Sequence, residues 1–419
     1  MITLDELARS PNALAPHYTH FRVPDRLLLT GHSHQAWPDV AREAQLEAFD
    51  DAAECVDDKW GRAFARADEV RAGFRRLLGE PGSTAEIALG ASTHDLAVRF
   101  LSALDLAGPR HRRRRLVTST GEFHTLRRQL ARLAEAGVDV EWVAAEPADT
   151  LAERLAAAVD DRTAAALVSA VLYETARIVP HLDGLANACR TAGAELLVDA
   201  YHALGVIPFP IPELGLADAW IVGGGYKYLQ LGEGNCFLRL PGHADRLRPV
   251  ITGWFAEFDA LAAETAGSGP ERVAYGPGAQ RFAGATYDPT SHYRGARVFR
   301  FFQEQGLTPA LLRQSYLRQL DVLARGFDAL GAPDDVITRD RDTPLWGVGA
   351  FLALRTPHAE ALQVALRERG VHTDTRGQYL RLGPAPYLSD AQLDAAIGAL
   401  GDVLQPLLSA LTYRTGPES

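Results

Sequence analysis

Between Glu86 and Leu240 the chain alternates short apolar runs with amphipathic stretches, and this alternation constrains its fold most. Ile87-Ala88-Leu89 reads as a strand and Asp95 to Leu104 as a helix. Leu116-Val117-Thr118 is a strand, followed by the helical pattern Leu126 to Ala136. Val140 to Val143, Ala164 to Val168, Glu195 to Val198 and Ala219 to Val222 read as further strands. Leu151 to Val159 and Leu182 to Ala192 are the helices between them. Strands that alternate with helices build a mostly parallel sheet covered by helices on both faces.

Beyond Asp288 the pattern changes. Two long helical stretches, Ser291 to Gln305 and Pro309 to Leu330, precede a strand at Gly349 to Leu354 and a helix at Ala359 to Arg369. A strand at Tyr379 to Leu382 and a final helical stretch from Asp390 to Ala410 follow, with Pro406 expected to kink or end that stretch. The expected fold class is therefore α/β, with a large domain over 31–287. An N-terminal segment, 1–30, precedes it. A smaller C-terminal α+β domain over 288–412 and a tail, 413–419, follow. The helical segment Val40 to Leu78 is expected near the smaller domain or at a subunit contact. Ala262 to Gly278 reads as an exposed loop and Thr412 to Ser419 as a frayed end.

Of 419 residues, 47% are hydrophobic and 23% charged, enough for a substantial core. The net charge of −10 argues against a nucleic-acid partner, and the basic run Arg110 to Arg115 reads as a solvated loop entering a strand. Cys55, Cys189 and Cys236 are scattered, which favours neither disulfides nor a CxxC metal site and points to a reducing, cytoplasmic compartment. Met1 to Ala15 does not read as a signal peptide, and no apolar run is long enough to span a membrane.

The densest chemical signal lies between Leu196 and Cys236. Asp199 follows Leu196-Leu197-Val198 and so stands at the carboxyl end of a buried strand, the edge where open α/β sheets bind ligands. An acid there needs a partner to offset desolvation. A protonated pyridine nitrogen is one such partner; a helix cap is the plainer role. Lys227 follows a second apolar strand and Gly223 to Gly225, glycines that would let backbone approach a ligand. Flanked by Tyr226 and Tyr228, its amine can be held neutral and nucleophilic. Only one other lysine, Lys59, occurs in the chain.

These residues resemble the fold type I pyridoxal phosphate (PLP) enzymes of the class V aminotransferase branch, and within it kynureninase. The shared steps are Asp199 with His202, Tyr226-Lys227-Tyr228, and Gly232 with Gly234, and the likeness runs from about Leu27 to Leu400. The resemblance implies a PLP cofactor in Schiff-base linkage to Lys227, with Asp199 on the pyridine nitrogen and His202 near ring and phosphate. Ser92 and Thr93 would donate to the phosphate, as helix N-termini do. Phe123 would stack on the ring, His124 being the alternative, and Tyr226 would reach the phosphate. Trp254 and Thr286 would serve a neighbouring subunit's cofactor in a homodimer. Arg381 would clamp the carboxylate of a small amino-acid substrate through its bidentate fork. Arg376 is expected in a structural ion pair beside Asp374.

Three departures from kynureninase stand out. Leu126 replaces an Asp after the stacking Phe, Tyr287 replaces an Asn at the substrate's ring, and Gly31-His32-Ser33-His34 matches the early glycine segment only loosely. The cofactor machinery is thus retained while the substrate wall is altered. The implied reaction is side-chain cleavage in the kynureninase manner, releasing alanine and a carboxylic acid. The alternatives are an aminotransferase, a C–S or C–N lyase, or a non-catalytic PLP-binding partner protein. No cysteine follows Cys236, which argues against a persulfide carried on the late chain. His17 with His20, and His32 with His34, lack accompanying ligands for a metal; His32 or His34 would instead reach the substrate. No dinucleotide fingerprint, P-loop or nucleophile elbow is present.

Overall fold

The computed structural model describes residues 2–83, 85–104, 106, 113–258 and 273–414, with side chains to 408. Residues 110–112 of the basic run, 262–272 of the expected loop and 415–419 of the tail lie outside the described residues.

In chain order the first elements are α1 (Leu4–Ala8), β1 (Leu27–Leu28), α2 (Val40–Cys55), α3 (Lys59–Leu77), β2 (Ile87–Gly90) and α4 (Thr93–Ala103). Then come β3 (Arg115–Ser119), α5 (His124–Glu135), β4 (Asp139–Val143), α6 (Leu151–Ala158), β5 (Thr163–Ser169) and α7 (Leu182–Ala192). The strands β6 (Glu195–Asp199), β7 (Trp220–Gly224) and β8 (Cys236–Arg239) complete a seven-stranded sheet of order β2-β8-β7-β6-β5-β3-β4. Every neighbouring pair is parallel except those of β8, which runs antiparallel to β7 and β2.

Alternation along the strands explains the two-sided core. Val117, Ala166, Val168, Leu196, Val198 and Ile221 pack into one buried cluster. Their neighbours Leu116, Ala165, Leu167, Leu197, Trp220 and Val222 pack into another on the opposite face. A strand sends successive side chains to opposite faces, so a sheet apolar at every position must be covered on both. Helix α4 covers one face with Leu96, Ala97, Phe100 and Leu101, buried at helical spacing.

Past the sheet, the helices Thr290–Gln305 and Pro309–Ala329 lead into β9 (Thr338–Arg339) and β10 (Leu352–Arg355). After the helix Ala359–Glu368 come β11 (Val371–His372), β12 (Asp374–Arg376) and β13 (Tyr379–Leu382). The antiparallel order is β12-β13-β10-β9. Helices α2 and α3 pack on Thr290–Gln305. The early segment is tied to this late sheet: β1 pairs with β11, and the Gly31 N–H donates to Gly383 O at 2.8 Å.

The structure corrects two expectations. The last helix runs through Pro406 to Arg414. Pro406 and Asp402, four residues earlier, are both exposed, so the carbonyl that loses its N–H partner can turn to water. Gly223 to Gly225 make room for protein side chains rather than a ligand: a Cβ at Gly223 would lie 2.9 Å from the Phe237 ring, and one at Gly225 2.3 Å from Leu231.

Candidate active site

Parallel strands bring their carboxyl ends to one edge, and the residues just beyond β2, β3, β5, β6 and β7 enclose a cavity of about 270 Å³ there. Seven of the residues singled out from sequence line it: Ser92, Thr93, Phe123, Asp199, His202, Tyr226 and Lys227.

Lys227 is buried, at 6% exposure. Its Nζ lies 2.7 Å from His202 Nε2 and 5.1, 4.8 and 5.6 Å from the ring centres of Phe123, Tyr201 and Tyr226. Burial lowers its pKa from the ordinary 10.5 to about 7, against the opposing pull of Asp199. Its amine is therefore substantially neutral near pH 7, as nucleophilic attack on a carbonyl requires. Burial, and next the charge of Lys227, hold His202 well below the usual imidazole range. Its Nδ1 lies 3.3 Å from Tyr228 Oη, and its Nε2 shares a hydrogen bond with the Lys227 amine.

Asp199 ends β6 and accepts the Tyr201 N–H at 2.8 Å. Its carboxyl sits deep in the molecule yet opens onto the cavity, and burial raises its pKa. This is an acid short of a cation, the environment that a protonated ring nitrogen would complete. Ser92 is the N-cap of α4, its Oγ accepting the Asp95 N–H at 3.1 Å. Thr93 and His94, the first residues of that helix, line the cavity, and a helix N-terminus is suited to phosphate. Phe123 lies between its partner Tyr173, edge-on at 5.3 Å, and the Lys227 amine. The donor set thus fits PLP: an amine for its aldehyde, a carboxylate for its nitrogen, a flat ring beside it, and a helix N-terminus for its phosphate.

The turn that delivers Lys227 depends on the glycines after it. Gly232 and Gly234 have φ of +67° and +86°, left-handed values that favour glycine, and a Cβ at Gly232 would lie 2.5 Å from Arg294 Nε.

The other predicted residues lie outside this cavity. Arg381 sits just behind it, 3% exposed, with Nε and Nη2 donating to Asp374 Oδ1 at 2.8 and 2.6 Å and Nη1 donating to Tyr173 O at 2.6 Å. Three of its five donors are used. Arg376 makes the expected ion pair, its Nη2 3.6 Å from Asp374 Oδ2, and Arg381 is a second, closer partner at 2.6 Å. The β12–β13 register, which places Asp374 opposite Arg381, is the cause. Trp254 is half-exposed and donates to Thr286 Oγ1 at 3.3 Å; neither lines the cavity of its own chain. Tyr287 packs against Trp60 and His292, also away from it. His34 stacks on Tyr226 at 4.9 Å, while His32 is buried 3.4 Å from Asp374. Among the described residues no cluster of potential metal ligands occurs.

Sequence reasoning missed Tyr201, Tyr173, Ser169, Cys236 and Glu122. The first four line the cavity. Ser169 closes β5 at the carboxyl edge, the same signal that marked Asp199. Cys236 is buried in the floor, its thiol pushed up to about 12 chiefly by burial.

No family model matches the chain. Over 212 residues it is 27% identical to the uncharacterized aminotransferase YcbU of Bacillus subtilis (strain 168), covering 49% of this chain and 54% of that protein. The match thus spans about half the length of the curated relative. Among solved structures, the apo cysteine desulfurase of Thermococcus onnurineus NA1 superposes with TM-score 0.77 at 16% identity, covering 94% of this chain and 98% of that one. A C-DES mutant with glycine covalently linked to its PLP cofactor gives 0.77 at 17%, covering 92% and 98%. The cystine C–S lyase C-DES with cysteine persulfide gives 0.75 at 18%, covering 91% and 98%. The chain has the fold type I architecture of PLP-dependent enzymes. Within that architecture its central sheet is the mixed, mostly parallel one of the cysteine desulfurase structures.

Proposed function

We propose that this protein is a PLP-dependent enzyme that cleaves the side chain of an amino acid, with C–S cleavage as the leading reading. The carrying observation is the buried amine of Lys227, held near neutral in a cavity that also presents Asp199 and the N-terminus of α4. PLP, when bound, supplies an electron-accepting ring in conjugation with the substrate's α-carbon. Lys227 would hold the cofactor covalently and would take and return the proton at the substrate's α-carbon. His202 fixes its Nζ. Asp199 would keep the ring nitrogen protonated, Ser92 and Thr93 would bind the phosphate with Tyr226, and Phe123 would pack on the ring. Arg381, oriented by Asp374 and Tyr173 O, offers its remaining donors to the α-carboxylate. In a homodimer Trp254 and Thr286 would complete the neighbouring subunit's cavity.

The C–S reading draws support from the cystine C–S lyase and cysteine desulfurases among the structures of this fold. A persulfide carried on the protein is not part of it: Cys236, the cysteine in the cavity, is buried with its thiol held protonated. Sulfur would leave on the product. The second reading, hydrolytic cleavage in the kynureninase manner, draws on the Asp199–His202 and Tyr226–Lys227–Tyr228 steps. The PLP-loaded protein offered cystine, cysteine, kynurenine and hydroxykynurenine separates these. C–S elimination yields pyruvate and ammonia, with a persulfide from cystine or sulfide from cysteine, and hydrolysis of kynurenine yields alanine and the aromatic carboxylic acid. Turnover only with an added keto acid would overturn both in favour of transamination.

A further inference from the structure

Beneath the cavity floor, two serines and a glutamate form a closed group. Glu122 is fully buried. Its Oε1 lies 2.6 Å from Ser119 Oγ and accepts the Ser169 N–H at 3.2 Å, and its Oε2 lies 2.7 Å from Ser169 Oγ. All these partners are neutral, so no cation offsets the desolvation of the carboxylate. Ser169 also lines the cavity and stands in register with Asp199 on the adjacent strand.

A serine hydroxyl has one hydrogen and two lone pairs. With Glu122 ionised, the Ser169 hydrogen is directed to Oε2 and only lone pairs face the cavity. With a proton on Oε2, Glu122 donates to Ser169 Oγ, and the serine hydrogen is free to turn to the cavity. We propose that Glu122 is a positioning residue whose proton decides whether Ser169 presents a donor or an acceptor to the cofactor and substrate beside Asp199.

Burial raises the Glu122 pKa from 4.5 to about 7, the Ser119 and Ser169 hydrogen bonds oppose the rise, and Asp199 adds to it. The exchange therefore falls near neutral pH. The charged groups bordering the cavity are Asp199 at the end of β6, Lys227 after β7 with neutral His202 beside it, and Glu233. Tyr201 and Tyr173 also border the cavity, and His124 opens α5 beside Phe123.

The cofactor-binding arm of the test rests on the PLP reading; the other arm does not. Infrared difference spectra of the cofactor-free full chain, taken across a pH range spanning about 7, should contain a protonated-carboxyl stretch that is lost as pH rises. Glu122→Gln should abolish that signal, and Ser169→Ala should retain a titrating signal. In the PLP-loaded protein the visible band should shift with the same midpoint, stay in its low-pH form in Glu122→Gln, and lose the shift in Ser169→Ala. A wild-type chain with no carboxyl signal titrating near neutrality would overturn the proposal. So would a Glu122→Gln band that shifts as the wild type does. Failure of the wild type to form any visible band would refute the PLP reading, and the infrared arm would still decide the role of Glu122.

Discussion

Replacing Lys227 by methionine removes a buried amine while keeping most of its apolar chain, and the effect on cofactor-free protein can be worked out. The folded amine gives up its proton at about 7 and the unfolded one near 10.5. Between those values the unfolded chain binds more protons than the folded one, so wild-type stability rises with pH through the window and levels above it. A displacement from 10.5 to about 7 corresponds to a ceiling of about 5 kcal/mol. Relaxation and water around a buried charge reduce such values, and the nearby Asp199 returns part of the loss, so roughly 2 kcal/mol is expected. Urea unfolding of both proteins at one concentration, from pH 7 to about pH 10, isolates the contribution, because every other titrating group is shared. The Lys227→Met protein should be the more stable of the two near pH 7, the advantage shrinking as pH rises. Parallel stability curves would refute the claim that this amine is desolvated in the folded chain.

Three further outcomes follow from the geometry. Asp199→Asn should keep a visible band with PLP but lower turnover by about a hundredfold or more, the scale for losing one preorganised electrostatic contact; steady-state rates check this. Arg381→Leu leaves the partly buried Asp374 without its closest partner, with Arg376 still 3.6 Å away, and should cost about 1.5–3 kcal/mol of stability. Adding Asp374→Leu should recover much of that loss in a double-mutant cycle by chemical denaturation. Gly31→Ala places a Cβ 2.2 Å from the Pro384 carbonyl, which backbone cannot easily yield, and should destabilise the chain by about 1–3 kcal/mol in a thermal melt.

Much of the central sheet was legible because parallel strands buried on both faces leave continuous apolar runs separated by helical periods. Strand β8 was not, since it enters antiparallel between β7 and β2 with no helix before it. The placement of Lys227, Asp199, Ser92 and Thr93 was readable for a related reason: each stands at or just past the end of a strand, where the fold delivers it to the cavity. The closer partner of Asp374 was not readable. Arg376 is nearer in sequence, but the β12–β13 pairing brings Arg381 across to it. Glu122 stayed hidden because nothing local distinguishes a buried acid held by serines from a surface one. Ser169, 47 residues away, completes its surroundings.

The central claim is that Lys227 carries PLP, and the absorbance spectrum of the purified protein with PLP, before and after borohydride, tests it most directly. The account predicts a visible band that borohydride abolishes, a reduced adduct that peptide mass analysis places on Lys227, and no such band in Lys227→Ala. A wild-type protein with no band, or an adduct on Lys59 with the Lys227→Ala spectrum unchanged, would contradict it.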